Sequence, residues 1–139
     1  MARILVIDEF EILRRVLQRM LASRGHKVLL AADGLEGLEL WHEWAPDLVM
    51  LDMDRPGGES IDALRQFRAA APTLPIIAMS AGGPTGRFDI LGDAQLLGAT
   101  AALMKPFHLW EVNDLVARVA QDRREGQDPT SVVGAGRLM

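Results

Sequence analysis

Asp8 with Glu9, Asp52, Ser80 and Lys105 each stand where an apolar run of this sequence stops. Arg3 to Ile7 ends on Asp8 and Glu9, Leu48 to Leu51 on Asp52, Pro75 to Met79 on Ser80, and Thr100 to Met104 on Lys105. If these ends share one crevice, three carboxylates meet there and repel one another unless a cation sits among them. An oxygen-only set without His or Cys favours a hard ion such as Mg²⁺. Lys105 adds a mobile point charge and Ser80 a hydroxyl, both suited to holding phosphoryl oxygens. With the charge neutralised, Asp52 is a candidate nucleophile that takes a phosphoryl group and carries it as an acyl phosphate.

Each of these residues also has a plainer reading. Asp8 and Glu9 suit the N-terminus of a following helix, where the macrodipole favours acids. Ser80 suits a strand-end cap, Lys105 a solvated position before a helix, and Asp54 an exposed loop. Separate capping roles do not account for all four strand-end positions falling in step along the chain.

The elements that must position these groups are legible from periodicity. Apolar runs at Arg3 to Ile7, His26 to Ala32, Leu48 to Leu51, Pro75 to Ser80 and Thr100 to Met104 are too short for helices and read as buried strands. Between them lie helical patterns: Ile12, Leu13, Val16, Leu17, Met20 and Leu21; Leu35, Leu38, Trp41 and Trp44; Ile61, Leu64 and Phe67; Ile90, Leu91, Ala94 and Leu97; and Leu109, Val112, Leu115, Val116 and Val119. Turn chemistry at Gly25, Pro56-Gly57-Gly58, Ala81 to Gly86 and Lys105-Pro106 separates them. Five strands alternating with five helices predict a parallel sheet covered on both faces. In the flavodoxin-like doubly wound order 2-1-3-4-5, strands one and three are neighbours at the switch point. All four strand ends then lie on one edge. Trp41, Trp44 and Trp110 are expected to cover the sheet, and His26, His42 and His108 match no metal spacing. Arg14, Arg15 and Arg19 form either a solvated helix face or a docking surface for a phosphodonor.

The 139 residues, 49% of them hydrophobic, suffice for one domain with a real core. Beyond about Asp122 the text is polar and glycine-rich without period, so residues 1–122 are expected to form the domain and 123–139 a frayed tail, too short for a DNA-binding domain. A net charge of -4 argues against general electrostatic binding of nucleic acid. With no cysteine, and no run long enough to span a bilayer, a cytoplasmic protein without membrane insertion is expected.

On the motifs Ile4-Leu5-Val6-Ile7-Asp8-Glu9, Asp47-Leu48-Val49-Met50-Leu51-Asp52 with Pro56-Gly57, Pro75-Ile76-Ile77-Ala78-Met79-Ser80-Ala81, and Gly98-Ala99 leading to Lys105-Pro106-Phe107, the chain resembles a bacterial response-regulator receiver domain, similar to the single-domain chemotaxis regulators. The resemblance covers roughly residues 3 to 120. It implies that Asp52 is the phosphoacceptor and that Asp8 and Glu9 hold Mg²⁺ with Asp52 and the backbone carbonyl of Met53 or Asp54. It implies that Ser80 and Lys105 bind the phosphoryl group. The donor would be a phosphohistidine on a sensor histidine kinase or histidine phosphotransfer protein. A downstream protein target would receive the signal through a switch surface at Ser80 and position 102. Glu9 stands where the family usually has Asp, Ala102 where it usually has Tyr or Phe, and the loop from Gly82 to Arg87 is rich in Gly and Pro. On this reading the chain is a self-phosphorylating switch rather than a turnover enzyme. Two other readings stay open. A pseudo-receiver would bind partners without phosphorylation, and a Mg²⁺-dependent phosphatase would use Asp52 and Asp54 as paired aspartates.

Overall fold

The computed structural model describes residues 1–81, 90–125 and 132–134. In chain order its elements are β1 (Arg3–Ile7), α1 (Glu11–Ser23), β2 (Lys27–Ala31), α2 (Gly34–Trp44), β3 (Leu48–Asp52), α3 (Glu59–Ala70), β4 (Ile76–Ser80), α4 (Ile90–Leu96), β5 (Ala101–Met104), α5 (Leu109–Glu125) and β6 (Val132–Gly134). β1 to β5 pair in parallel in the order 2-1-3-4-5, the flavodoxin-like arrangement expected. β1 and β3 are neighbours with Ile7 opposite Leu51, so Asp8 and Asp52 leave the sheet side by side.

Every position of β3 and β4 is buried, as strands covered on both faces must be. Alternate residues divide between two cores. Leu5, Ile7, Val49, Leu51, Ile76 and Ala78 pack with Leu64, Phe67, Ile90 and Leu91, the side of α2, α3 and α4. Ile4, Val6, Leu48, Met50, Ile77 and Met79 pack with Leu17, Leu21, Val112 and Val116, the side of α1 and α5.

The second helix begins sharply. Asp33 accepts the Glu36 N–H at 2.9 Å, and Glu36 Oε1 accepts the Ala32 N–H at 3.0 Å, so side chains satisfy donors at the helix start. Gly34 lets α2 lie against α3, since a Cβ there would stand 2.6 Å from Ala63 Cβ. Gly34→Ala is expected to lower stability by about 1–2 kcal/mol by overpacking, more than the helix propensity of alanine returns. An unchanged urea midpoint would show that the two helices part without cost.

Several expectations are corrected. Ile12 is 79% and Val16 39% exposed, because α1 rests on the sheet through the narrower stripe of Leu13, Leu17, Met20 and Leu21. Leu35 likewise lies outside the core. Trp41 and Trp44 pack on the core, but Trp110, in the first turn of α5, is 59% exposed and stacks near His108 instead of covering the sheet. The fifth helix runs on to Glu125, past the expected boundary at 122. Within the stretch expected to be a tail, Val132–Gly134 forms a short sixth strand parallel to β5, with Val132 opposite Ala102. Residues 126–131, residues 135–139 and the Gly82 to Arg87 loop lie outside the described residues.

Candidate functional site

Parallel strands deliver their C-terminal residues to one edge, and there Lys105 ties the first and third strands together. Its Nζ donates to Asp8 Oδ2 at 2.8 Å and to Asp52 Oδ1 at 3.2 Å. Both carboxylates are 1% exposed. Lys105 is held from behind, its backbone N–H donating to the Ser80 carbonyl at 2.7 Å. Asp8 is held too. Its Oδ1 accepts the Phe10 N–H at 2.9 Å, and its carbonyl accepts from Arg14 Nη1 at 2.7 Å. Arg14 thus braces the site from α1, whereas Arg15 pairs with Glu11 on the surface.

Asp52 is the unusual group. Oδ1 also accepts the Asp54 N–H at 3.2 Å, while Oδ2 is buried with no hydrogen-bond partner. Burial pushes its pKa up to about 6, against the nearby Lys105 ammonium and with help from the Asp8 charge. Burial also works against the Lys105 ammonium, but the Asp52 and Asp8 carboxylates outweigh it and hold that pKa above the ordinary lysine value. A buried carboxylate with one oxygen unsatisfied is costly, and such groups gather where chemistry is done.

The remaining expected residues divide. Ser80, fully buried, donates from Oγ to Asp54 Oδ1 at 2.6 Å, and the Ala81 N–H donates to Asp54 Oδ2 at 2.8 Å. The Asp54 side chain is therefore turned to the end of β4, and the cation role expected of residue 54 rests on its backbone carbonyl. Glu9 Oε2 lies 2.8 Å from Arg55 Nη1, and Arg55 Nη2 lies 3.3 Å from Glu59 Oε2. Ala102 is buried within β5 opposite Ala78 and belongs to the core beneath α2, α3 and α4. His42 and His108 are exposed, and His26 Nδ1 accepts the Ala2 N–H at 3.0 Å, a structural role. Arg55 was not singled out from the sequence; a lone cation set directly after Asp52 and Asp54 was the available signal.

The donor set can be tested against Mg²⁺. Among the described residues no three acidic or histidine side chains form a ready-made cage. Mg²⁺, however, usually takes one or two carboxylates and keeps several waters. Asp8 and Asp52 supply two adjacent carboxylates, one oxygen of Asp52 being unpartnered. All donors here are oxygens, so the chemistry fits a hard dication.

Comparison with known proteins gives the family of the chain. The model of the response regulator receiver domain family matches residues 4–120. Sporulation initiation phosphotransferase F of Bacillus subtilis (strain 168) is 31% identical over 116 residues, covering 84% of this chain and 91% of its own. Response regulator MprA of Mycobacterium sp. (strain KMS) is 36% identical over 130 residues, 91% of this chain, but the match takes in only 54% of MprA, so the chain spans about half of that relative. Among solved structures, a response regulator receiver domain protein from Clostridium thermocellum superimposes with a TM-score of 0.81 at 26% identity, covering 91% of this chain and 100% of its own. NtrX from Brucella abortus gives a TM-score of 0.83 at 25% identity, covering 90% of this chain and 28% of NtrX. The chain belongs to the response regulator receiver domain family, the receiver modules of two-component signal transduction. No helix among the described residues is long and apolar enough to cross a membrane.

Proposed function

We propose that the chain accepts a phosphoryl group on Asp52 from a phosphohistidine of a sensor kinase or phosphotransfer protein, and that the modified state changes a surface read by a downstream protein. The observation that carries this reading is the buried Asp52 carboxylate at the end of β3, with Lys105 on one oxygen and the other unpartnered. The name of the Bacillus relative, a phosphotransferase, supports the same direction.

One carboxylate oxygen of Asp52 attacks phosphorus, a P–O bond forms, and the P–N bond breaks with its electron pair left on the imidazole nitrogen. Asp8, Asp52 and Glu9, with the Met53 or Asp54 carbonyl, would hold Mg²⁺. When bound, the ion would offset the clustered negative charge and that of the phosphoryl oxygens. Lys105 keeps its ammonium beside Asp52 and follows the transferred group. The Ser80 hydroxyl exchanges Asp54 for a phosphoryl oxygen, carrying the change to the end of β4. Water later cleaves the acyl phosphate, returning free Asp52 and inorganic phosphate, so the chain is a timed switch and not a turnover enzyme. The acidic net charge of -4 suits a protein target better than nucleic acid.

Incubation with acetyl phosphate and Mg²⁺ followed by intact-mass spectrometry is expected to add one phosphoryl group to the wild type and none to Asp52→Asn. A wild type without that gain would remove the proposal. Ala102 favours one second reading, a module that binds its partner unphosphorylated, since the position usually taken by an aromatic side chain holds only a buried methyl. In that case Asp52→Asn leaves partner affinity unchanged.

A further inference from the structure

Arg55 is a cation beside the acidic site that the reaction above does not use. It follows Asp54 in the loop after β3, and its N–H donates to the buried Ser60 Oγ at 3.2 Å, which fixes the loop against the start of α3. From there the guanidinium reaches back across the site and divides between two carboxylates, Glu9 at 2.8 Å and Glu59 at 3.3 Å. It lines the same small cavity as Asp8, Asp52 and Glu59. A planar guanidinium can serve two carboxylates from separate nitrogens, which a lysine point charge does less well.

The consequence falls on Glu9. Asp8 and Asp52 are adjacent through Lys105, but Glu9, the next residue along the chain, spends its carboxylate on Arg55. Among the described residues no three acidic or histidine side chains come together, and Glu9 is engaged by Arg55. For Glu9 to take part in binding a dication, directly or through a bound water, it must exchange the guanidinium for the ion. Arg55 is not stranded by the exchange, because Glu59 already accepts from its other nitrogen.

We infer that Arg55 is an internal competitor for the cation: it holds Glu9 off the site, releases it when a divalent ion arrives, and so sets the metal affinity of this receiver. The inference rests on the reading that Asp8 and Asp52 bind Mg²⁺. The third carboxylate is then exchangeable and not a standing part of the site. The metal-free protein has an alternative partner for each charge, and Glu9 contributes to binding only its excess over the Arg55 contact.

The test is a double-variant cycle in Mg²⁺ affinity, measured by isothermal titration of the full chain with MgCl₂ and without any phosphodonor. Arg55→Met is expected to tighten Mg²⁺ binding about fivefold, on the order of one partly exposed ion pair. Glu9→Gln should weaken binding by roughly twofold in the wild type but by roughly tenfold in the Arg55→Met background, since only there is its carboxylate unengaged. Equal losses in both backgrounds would mean simple long-range repulsion by Arg55 and would overturn the exchange. So would an Arg55→Met affinity equal to or weaker than wild type. Absence of saturable heat from both wild type and Arg55→Met would overturn the Mg²⁺ reading itself, and the inference with it. Should Arg55→Met fail to fold, judged by its circular dichroism melt, Arg55→Gln removes the same charge and carries the same expectations.

Discussion

Lys105→Met is expected to lower stability by about 3–5 kcal/mol at pH 7.5 in metal-free buffer, the usual cost of removing one partner from a buried ion pair. Lys105 touches both Asp8 and Asp52, whose side chains are 0% and 1% exposed, so the variant leaves two carboxylates facing each other out of water. The chain has one means of relief, which is to bind a proton. Asp52 already sits at about 6 with the ammonium present, and without it the value moves higher still. A folded pKa above the unfolded one gives stability that is present at low pH and is lost as pH rises through the folded value. The deficit of Lys105→Met should therefore shrink between pH 7.5 and pH 5.5. Urea unfolding at the two values checks this. A deficit under about 1 kcal/mol at pH 7.5, or one that ignores pH, would show that Lys105 is not what permits the two acids to be buried together.

Asp52→Asn should act in the opposite direction, making the metal-free protein more stable while abolishing its chemistry. In the wild type the Asp52 pKa rises from 3.8 to about 6 on folding, so the unfolded chain releases this proton first as pH rises. Stability is accordingly lost from about pH 4 upward and the loss levels off above the folded value. At about 1.4 kcal/mol per pKa unit, the variant's advantage should be roughly 2 kcal/mol larger at pH 7.5 than at pH 4.5. If Asp52 holds Mg²⁺ as proposed, saturating Mg²⁺ should narrow the gap, because only the wild type then keeps both carboxylates and gains by mass action. Denaturation of both chains across that pH range measures it. A wild type that stays the more stable at every pH would mean that the Lys105 contact outweighs the burial of Asp52.

Much of this was legible in the sequence. A strand in a parallel sheet is covered on both faces and so appears as an unbroken apolar run, which is why Leu48 to Leu51 and Pro75 to Ser80 are legible as strands in the sequence alone. Because such strands share a direction, the residue that ends each run must reach one edge. Asp8, Asp52 and Lys105 do meet there. What was not legible is orientation after the strand ends. Glu9 turns to Arg55 and Asp54 to Ser80 because loops bring those partners within reach, and no periodicity encodes a pairing across 46 residues. Helix faces were read too generously where the apolar residues outnumber the contacts on offer, as with Ile12 and Val16 on α1. A three-residue strand such as β6 is too short to leave any period at all.

That last strand changes what the molecule offers to its neighbours. Without it, β5 would close the sheet with a row of open main-chain donors and acceptors, the kind of border on which a second polypeptide can build. Val132–Gly134 lies along Ala102–Met104 and takes up that border from within the same chain, leaving as the boundary among the described residues a strand of 3 residues that ends on glycine. So short a ledge gives an incoming strand few rungs to grip. Along Ala102–Met104 the pairing thereby discourages fibre-like growth.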